Sequence, residues 1–273
     1  MAPVPIPEQP TRCAPASAPG TKPEHMEPHA QYAPRVLLAV DDAGLRRHSE
    51  AGLRAAGFAV SAPTDAVAAG ILAESFAPDV MIVDATLDGP DARPLYKHLR
   101  TRSDRYLLCI EPAGRDRARV EVLRSGADDA VSLPVTADEI AARCHALLRR
   151  PRDLRTDWEP TTASVVTLGP LVVDSGRHEI RLCGEEVPAT RIEFSLLEHL
   201  VRNPGEVSSR ADLLEAVWGS NWVGDTHVVD VHLSNLRRKL DAAAPRLRVI
   251  HTVRGVGFRL GNDILDPVDE LTV

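Results

Sequence analysis

The sequence of 273 residues predicts two folded domains, an α/β domain with five parallel strands and a smaller α+β domain after it. Between residues 35 and 150, short apolar runs alternate with helical stretches, a pattern typical of a parallel sheet covered on both faces. Between residues 161 and 261, short alternating segments precede three helical patterns, and a glycine-containing hairpin follows. The polar, proline-flanked segment 151–160 is predicted to be the linker.

Composition excludes several classes of protein. No apolar run approaches the length that spans a bilayer, and the N-terminus has no basic-then-apolar signal pattern. Four cysteines are scattered without CxxC spacing, which favours reduced thiols over a zinc site, so we expect a cytoplasmic protein. The net charge of −7 does not itself indicate nucleic-acid binding, but residues 237–259 hold seven basic residues against one acid.

Both ends of the chain are predicted to be tails. Residues 1–34 contain nine prolines and little apolar periodicity, so they cannot bury enough surface to offset the entropy of ordering. Residues 262–273 are acidic and are likewise predicted to be disordered.

The five predicted strands of the α/β domain span residues 36–40, 58–63, 80–83, 106–110 and 130–133. Asp41 and Asp42 follow the first of these strands, and Asp84 follows the third. In an open α/β sheet, the carboxyl ends of the strands form the crevice that holds ligands. Clustered carboxylates repel one another unless a hard divalent cation is present, so Mg²⁺ is one possibility. The other is that these are solvated loop acids.

The motifs VLLAVDD, MIVDATLDGPDA and RSGADDAVSLP resemble those of response-regulator receiver domains over residues 35–150. The resemblance implies a flavodoxin-like fold of five parallel strands. It also implies that Asp84 is the phosphoacceptor for a histidine kinase. In that case Asp41 and Asp42 would hold Mg²⁺ together with Asp84.

Three positions depart from the receiver pattern. Glu111 stands where the family has Thr or Ser, Leu133 stands where it has Lys, and Ala130 replaces the usual switch aromatic. Leucine cannot pair with phosphoryl oxygens, and a charged Glu111 would repel them or mimic a permanently charged site. We therefore slightly favour a receiver whose dimerisation is constitutive or set by a small-molecule ligand or protein. A conventional receiver activated by phosphorylation at Asp84 is the alternative.

The last strand and helix carry Asp129, Glu139 and Arg143. In the receiver family, acids and bases on this face pair across a dimer, so the resemblance implies a homodimer. Ordinary surface charge is the alternative, because single exposed pairs contribute little.

In the C-terminal region, Thr190 and Glu193 have the spacing of a capping box at the start of a helix. The segment 209–212 has the same capping pattern before a second helix. The third helix, within THVVDVHLSNLRRK, has an apolar stripe with a polar face opposite and a basic end. TVRGVGFRL then forms a basic hairpin. Such a helix suits a DNA major groove, although an ordinary core helix has the same periodicity.

The motifs RIEFSLLEHLVRNPGEVSSRADLLEAVWG, VVDVHLSNLRRKL and IHTVRGVGFRL resemble the winged helix-turn-helix effector domain of the OmpR/PhoB family. The resemblance implies a transcription regulator that binds tandem half-sites on double-stranded DNA. It places the third helix in the major groove and Arg254 on the wing. The implied DNA-contacting residues are His227, Val231, His232, Ser234, Asn235, Arg237 and Arg254.

Trp222 lies in the loop between the second and third helices, which in this family often faces RNA polymerase. It is equally expected to fold back on its own domain. Two rival functions are a phosphotransfer enzyme and a protein-interaction scaffold that does not bind DNA. No catalytic base or phosphate loop supports the first, so we do not expect an enzyme, and Arg237 and Arg254 argue against the second.

Overall fold

The computed structural model describes residues 33–114, 116–149, 165–220, 222 and 224–265, with the backbone alone at 116 and 117. The predicted linker 151–160 and nearly all of the predicted N-terminal tail lie outside these residues. Part of the predicted C-terminal tail lies within the described residues. Residues 262–265 form a short helix in which Ile264 is buried, so the prediction of disorder is wrong for them.

The N-terminal half forms a five-stranded parallel sheet with the order β2-β1-β3-β4-β5. Its strands are β1 (Arg35–Ala39), β2 (Ala59–Ser61), β3 (Val80–Asp84), β4 (Tyr106–Glu111) and β5 (Asp129–Ser132). The helices between and after them are α1 (Ala43–Ala55), α2 (Ala66–Ser75), α3 (Leu95–Arg100), α4 (Asp116–Arg124) and α5 (Ala137–Leu148). This is a doubly wound order, and the continuous apolar runs of the central strands are buried on both faces.

The C-terminal half begins with a four-stranded antiparallel sheet of β6 (Val165–Leu168), β7 (Leu171–Asp174), β8 (Glu179–Leu182) and β9 (Glu185–Glu186). It continues with α6 (Arg191–Arg202), β10 (Ser208–Ser209), α7 (Arg210–Trp218) and α8 (His227–Ala243). The last elements are β11 (Ile250–Val253), β12 (Gly257–Leu260) and α9 (Asn262–Leu265). The predicted fold class, an α/β receiver-like domain and an α+β winged helix, is confirmed.

Both predicted capping boxes are present. The Thr190 hydroxyl accepts from the Glu193 amide, and the Glu193 carboxylate accepts from the Thr190 amide at 2.8 Å. Ser209 and Asp212 make the same reciprocal pair. Each box fixes the first turn of a helix, with a contribution of about 1 kcal/mol.

The hairpin of β11 and β12 turns at Arg254–Val256, where Gly255 has a φ of +74° that a side chain would strain. β10, which the sequence did not predict, extends this hairpin to three strands. Among the residues that the structure describes, no helix is long and apolar enough to cross a membrane.

The described residues from 33 onward belong to one compact unit, in which α4 of the α/β domain packs along α8 of the C-terminal domain. Trp218, fully buried, anchors the C-terminal core beside α8. The position of α8 decides which candidate residues are accessible.

Candidate nucleic-acid interface and acidic edge

The three predicted acids lie at the carboxyl edge of the parallel sheet, but the side chains of Asp42 and Asp84 have separate local partners. Asp42 is the N-cap of α1, and its carboxylate accepts from the Leu45 amide at 2.6 Å. Asp84 accepts from the Thr86 amide at 2.9 Å and from the Thr86 hydroxyl at 2.7 Å. Asp41 is exposed.

The predicted Mg²⁺ site is therefore not assembled in this conformation. Within the described residues, no three Asp, Glu, His or Cys side chains are grouped as metal ligands. The physical reason is local: capping α1 turns Asp42 toward a backbone amide, and Thr86 holds the Asp84 carboxylate in a turn. The residues as placed do not fit the ion that the receiver resemblance implies.

Glu111 ends β4 and is buried, with neither carboxylate oxygen hydrogen-bonded in the described part of the chain. Burial raises the pKa of Glu111 to about 7, although the charge of Arg119 on α4 opposes that rise. Because a carboxyl with a pKa of about 7 is not fully ionised at neutral pH, it is a poor mimic of a permanently charged site. Leu133, at the position of the family's lysine, is partly buried against the core.

The candidate DNA-contacting residues of α8 and the hairpin fall into two groups. His227, Ser234 and Arg254 are exposed, and Val231 is half-buried against the core. His232 and Asn235 are buried, contrary to their predicted role on an open DNA-reading face.

His232 and Asn235 are buried because the α/β domain packs against the side of α8 that carries them, whereas His227 and Ser234 on the neighbouring polar face stay exposed. The Nε2 atom of His232 lies 3.1 Å from the Asp128 carbonyl, and Asn235 Nδ2 donates to the Leu123 carbonyl at 3.0 Å. Burial lowers the pKa of His232, which favours the neutral ring in this position. In this closed conformation the two side chains bond to protein backbone and are unavailable to bases.

Arg237 has a structural role that the sequence did not predict. Its guanidinium donates to the Ile250 carbonyl at 3.1 Å and to the Thr252 hydroxyl at 2.8 Å. It also stacks over Phe258, 5.4 Å from the ring centre. Arg237 therefore fixes the hairpin against α8.

Further contacts surround the α4–α8 packing. Arg191 lies 3.4 Å from Asp104 and stacks over Tyr106, while Arg119 lies 4.0 Å from Asp225. Trp222 packs beside Trp218, with ring centres 5.6 Å apart. Trp222 thus folds back in this conformation, the second of the two expectations for it.

The residues predicted to pair across a dimer pair inside the chain instead. Arg143 donates to Asp129 at 2.8 Å and to Glu139 at 2.8 Å. Asp129 is buried, and the other face of Arg143 stacks on Trp222 at 5.3 Å. Through Trp222 the C-terminal domain therefore lies against Arg143, one of the side chains assigned to the dimer, and that assignment stays a prediction for an open conformation.

Two ion pairs that position α8 were missed from the sequence. Arg210 on α7 makes a two-pronged contact with Asp230, at 2.9 and 2.7 Å. Lys239 donates to the capping residue Glu193 at 2.6 Å. Neither pair has a sequence signal, because its members are 20 and 46 residues apart and join different helices.

A sheet domain with acids at its carboxyl edge, joined to a winged helix with a basic helix end, defines a DNA-binding regulator with an input domain. Residues 184–260 match the family model described as "Transcriptional regulatory protein, C terminal". The transcriptional regulatory protein PrrA of Mycobacterium tuberculosis is 39% identical over 229 residues, 83% of this chain and 96% of that protein. The sensory transduction protein RegX3 of Mycobacterium tuberculosis is 35% identical over 225 residues, covering 82% and 98%.

Among solved structures, the C128D mutant of RitR matches with a TM-score of 0.66 and 24% identity, over 84% of this chain and 99% of that one. That likeness bears on the fold alone. From its relatives, the chain belongs to the OmpR/PhoB family of response regulators. It is a DNA-binding transcriptional regulator of the two-component type.

Proposed function

We propose that this regulator is switched by separating its two domains, and that phosphorylation of Asp84 is not needed for the switch. The observation that carries the proposal is the burial of His232 and Asn235 of the recognition helix against the α/β domain. In the open form, α8 would enter the major groove and Arg254 would contact a phosphate or the minor groove.

Independence from phosphorylation is supported by the acidic edge. Leu133 offers no cation, Glu111 replaces a hydroxyl donor, and the Asp42 and Asp84 side chains are held by local partners. The runner-up is a conventional receiver in which phosphorylation of Asp84 by a histidine kinase opens the molecule. The retention of the acids at the sheet edge favours that alternative.

The open form is also where the proposed partners would bind. Once Trp222 leaves Arg143, the face that carries Asp129, Glu139 and Arg143 becomes available for a homodimer, which would place two winged helices on tandem half-sites. RNA polymerase would then contact the Trp222 loop once it leaves the α/β domain. We place this activity in the cytoplasm.

Replacing Asp104 with arginine tests the switch, because it puts a like charge beside Arg191 across the domain contact. Asp104 has 75% of its side chain exposed, so the α/β domain should still fold. We expect the full chain to bind DNA about three- to tenfold more tightly, since part of the closing energy is removed. The measurement is anisotropy of a labelled duplex selected from a random pool.

Asp88→Arg is the matched control, because it makes the same charge change at an exposed loop residue of the same domain. It should leave DNA affinity within twofold of the unmodified chain. Equal tightening by both variants would mean that added positive charge, and not opening, is the cause. No tightening by Asp104→Arg would argue against closure as the switch.

Arg254→Ala tests the wing. Because Arg254 is exposed at the hairpin turn, its loss should weaken binding similarly on all sequences and reduce the salt slope by about one. Arg177, exposed in the turn between β7 and β8 of the C-terminal domain, provides the control Arg177→Ala. If Arg254→Ala leaves both affinity and salt slope unchanged, the wing does not contact DNA.

A further inference from the structure

A cleft of about 460 Å³ lies between the two domains, beside the covered face of α8. The α/β domain lines it with the segments that follow α3 and α4. The C-terminal domain lines it with the start of α6 and the basic end of α8. Its volume falls within the range of small-molecule sites, about 300–1,000 Å³.

The cleft is strongly basic, and we call it the basic cleft. Its charged lining consists of Arg100, Arg102, Arg124, Arg238, Lys239, Asp104 and Glu193. Several of these charges are already neutralised: Arg100 pairs with Asp128 at 2.6 Å, Lys239 with Glu193 at 2.6 Å, and Asp104 with Arg191.

Three guanidinium groups remain without a carboxylate in the described part of the chain. Arg102 contacts the ring of His98, and Arg238 donates to the Asn235 amide oxygen at 3.3 Å. Arg124 is exposed at the end of α4. In addition, Arg100 Nε is buried there with no acceptor among the described residues.

Arg124 and Arg238 belong to different domains, so closure brings like charges to one cleft. That repulsion opposes closure unless an anion lies between them. Guanidinium groups bind phosphate oxygens through paired, charge-assisted hydrogen bonds, which are stronger than neutral ones. Three unpaired cations exceed the charge of a single phosphate group, about −1.5 to −2, and suit a diphosphate better.

We propose that the basic cleft binds a small molecule through a diphosphate group that bridges Arg124 and Arg238. The ligand binds only the closed form, because opening separates the two arginines. By mass action it holds α8 against the α/β domain and opposes DNA binding. This regulation rests on the proposed domain closure, whereas binding of the diphosphate to the cleft can be measured without DNA.

The test is calorimetric titration of the full chain with inorganic pyrophosphate, at constant ionic strength kept with sodium chloride. We expect one pyrophosphate per chain, with orthophosphate at least tenfold weaker. Arg124→Ala and Arg238→Ala should each weaken pyrophosphate binding at least tenfold, because each removes a charge-assisted contact. Arg47→Ala should not change it, because Arg47 is an exposed arginine on α1, outside the cleft, that donates to the Ala43 carbonyl.

Absence of saturable binding by the unmodified chain would overturn the proposal, and so would equal weakening by Arg47→Ala. Hydrogen exchange of α8 amides is the second readout, and pyrophosphate should slow it in the unmodified chain but not in Arg124→Ala. If pyrophosphate binds through Arg124 while Asp104→Arg leaves DNA affinity unchanged, the proposed diphosphate site is supported and the proposed closure switch is wrong. If Asp104→Arg tightens DNA binding but pyrophosphate does not bind, the closure switch is supported and the proposed diphosphate site is wrong.

Discussion

Replacing Arg143 with alanine is expected to destabilise the chain by about 3–5 kcal/mol. Asp129, its partner at 2.8 Å, has a side chain with no solvent exposure, and Arg143 itself is 5% exposed. Burial raises the pKa of Asp129, and the positive charge of Arg143 opposes that rise. Without Arg143 the carboxylate keeps its desolvation cost and loses its main compensating charge.

The measurement is urea denaturation followed by circular dichroism, with the midpoint and slope compared between variants. Arg54→Ala is the matched control, because Arg54 also pairs with a glutamate four residues away on a helix but is 56% exposed. Loss of that exposed pair should lower the free energy of unfolding by no more than about 1 kcal/mol. A loss below 1 kcal/mol for Arg143→Ala as well would mean that Asp129 is not held as a buried charge.

The double variant Arg143→Met with Asp129→Asn separates a lost charge pair from lost packing. It removes both charges while keeping most of the side-chain volume, so it should recover much of the stability lost in Arg143→Ala. No recovery would point to the stacking of Arg143 on Trp222, and so to the domain contact, as the main contribution.

The sheet, its helices and the winged helix could be predicted because each depends on local signals. Apolar runs at βα spacing predict the parallel strands, and the Thr190–Glu193 and Ser209–Asp212 pairs predict two helix starts. The glycine at the wing turn is equally local, since Gly255 needs a positive φ. These local features do not depend on how the two domains are arranged.

The sequence could not predict which surfaces of the two domains pack against each other. A polar side chain on α8 has the same sequence pattern whether it faces DNA or a second domain, so nothing distinguishes a base-reading Asn235 from one bonded to Leu123. The same ambiguity affects Arg237, because its partners Ile250 and Thr252 depend on where the hairpin packs. The acids at the sheet edge were placed correctly, but local capping and turn bonds decide where their side chains point.

Glu111→Gln is expected to stabilise the chain by about 3 kcal/mol at pH 8 and by about 1 kcal/mol at pH 5. The pKa of Glu111 is raised from 4.5 to about 7 by burial, and one pKa unit corresponds to about 1.4 kcal/mol. Because the folded state holds this proton more tightly than the unfolded state, stability falls as pH rises from about 4.5 to about 7. Above pH 7 the folded chain carries the full cost of a buried carboxylate, which glutamine avoids.

The test compares urea midpoints at pH 5 and pH 8 for the unmodified chain, Glu111→Gln and the control Glu186→Gln, which changes an exposed strand residue. The urea midpoints of the two glutamine variants should differ mainly at pH 8. A benefit of equal size at both pH values would show that the Glu111 carboxyl does not titrate in this window. A pH-dependent benefit would mean that the residue replacing the receiver's hydroxyl changes charge near neutrality. In that case its effect at the acidic edge varies with pH, which neither a permanent charge nor a threonine at this position would produce.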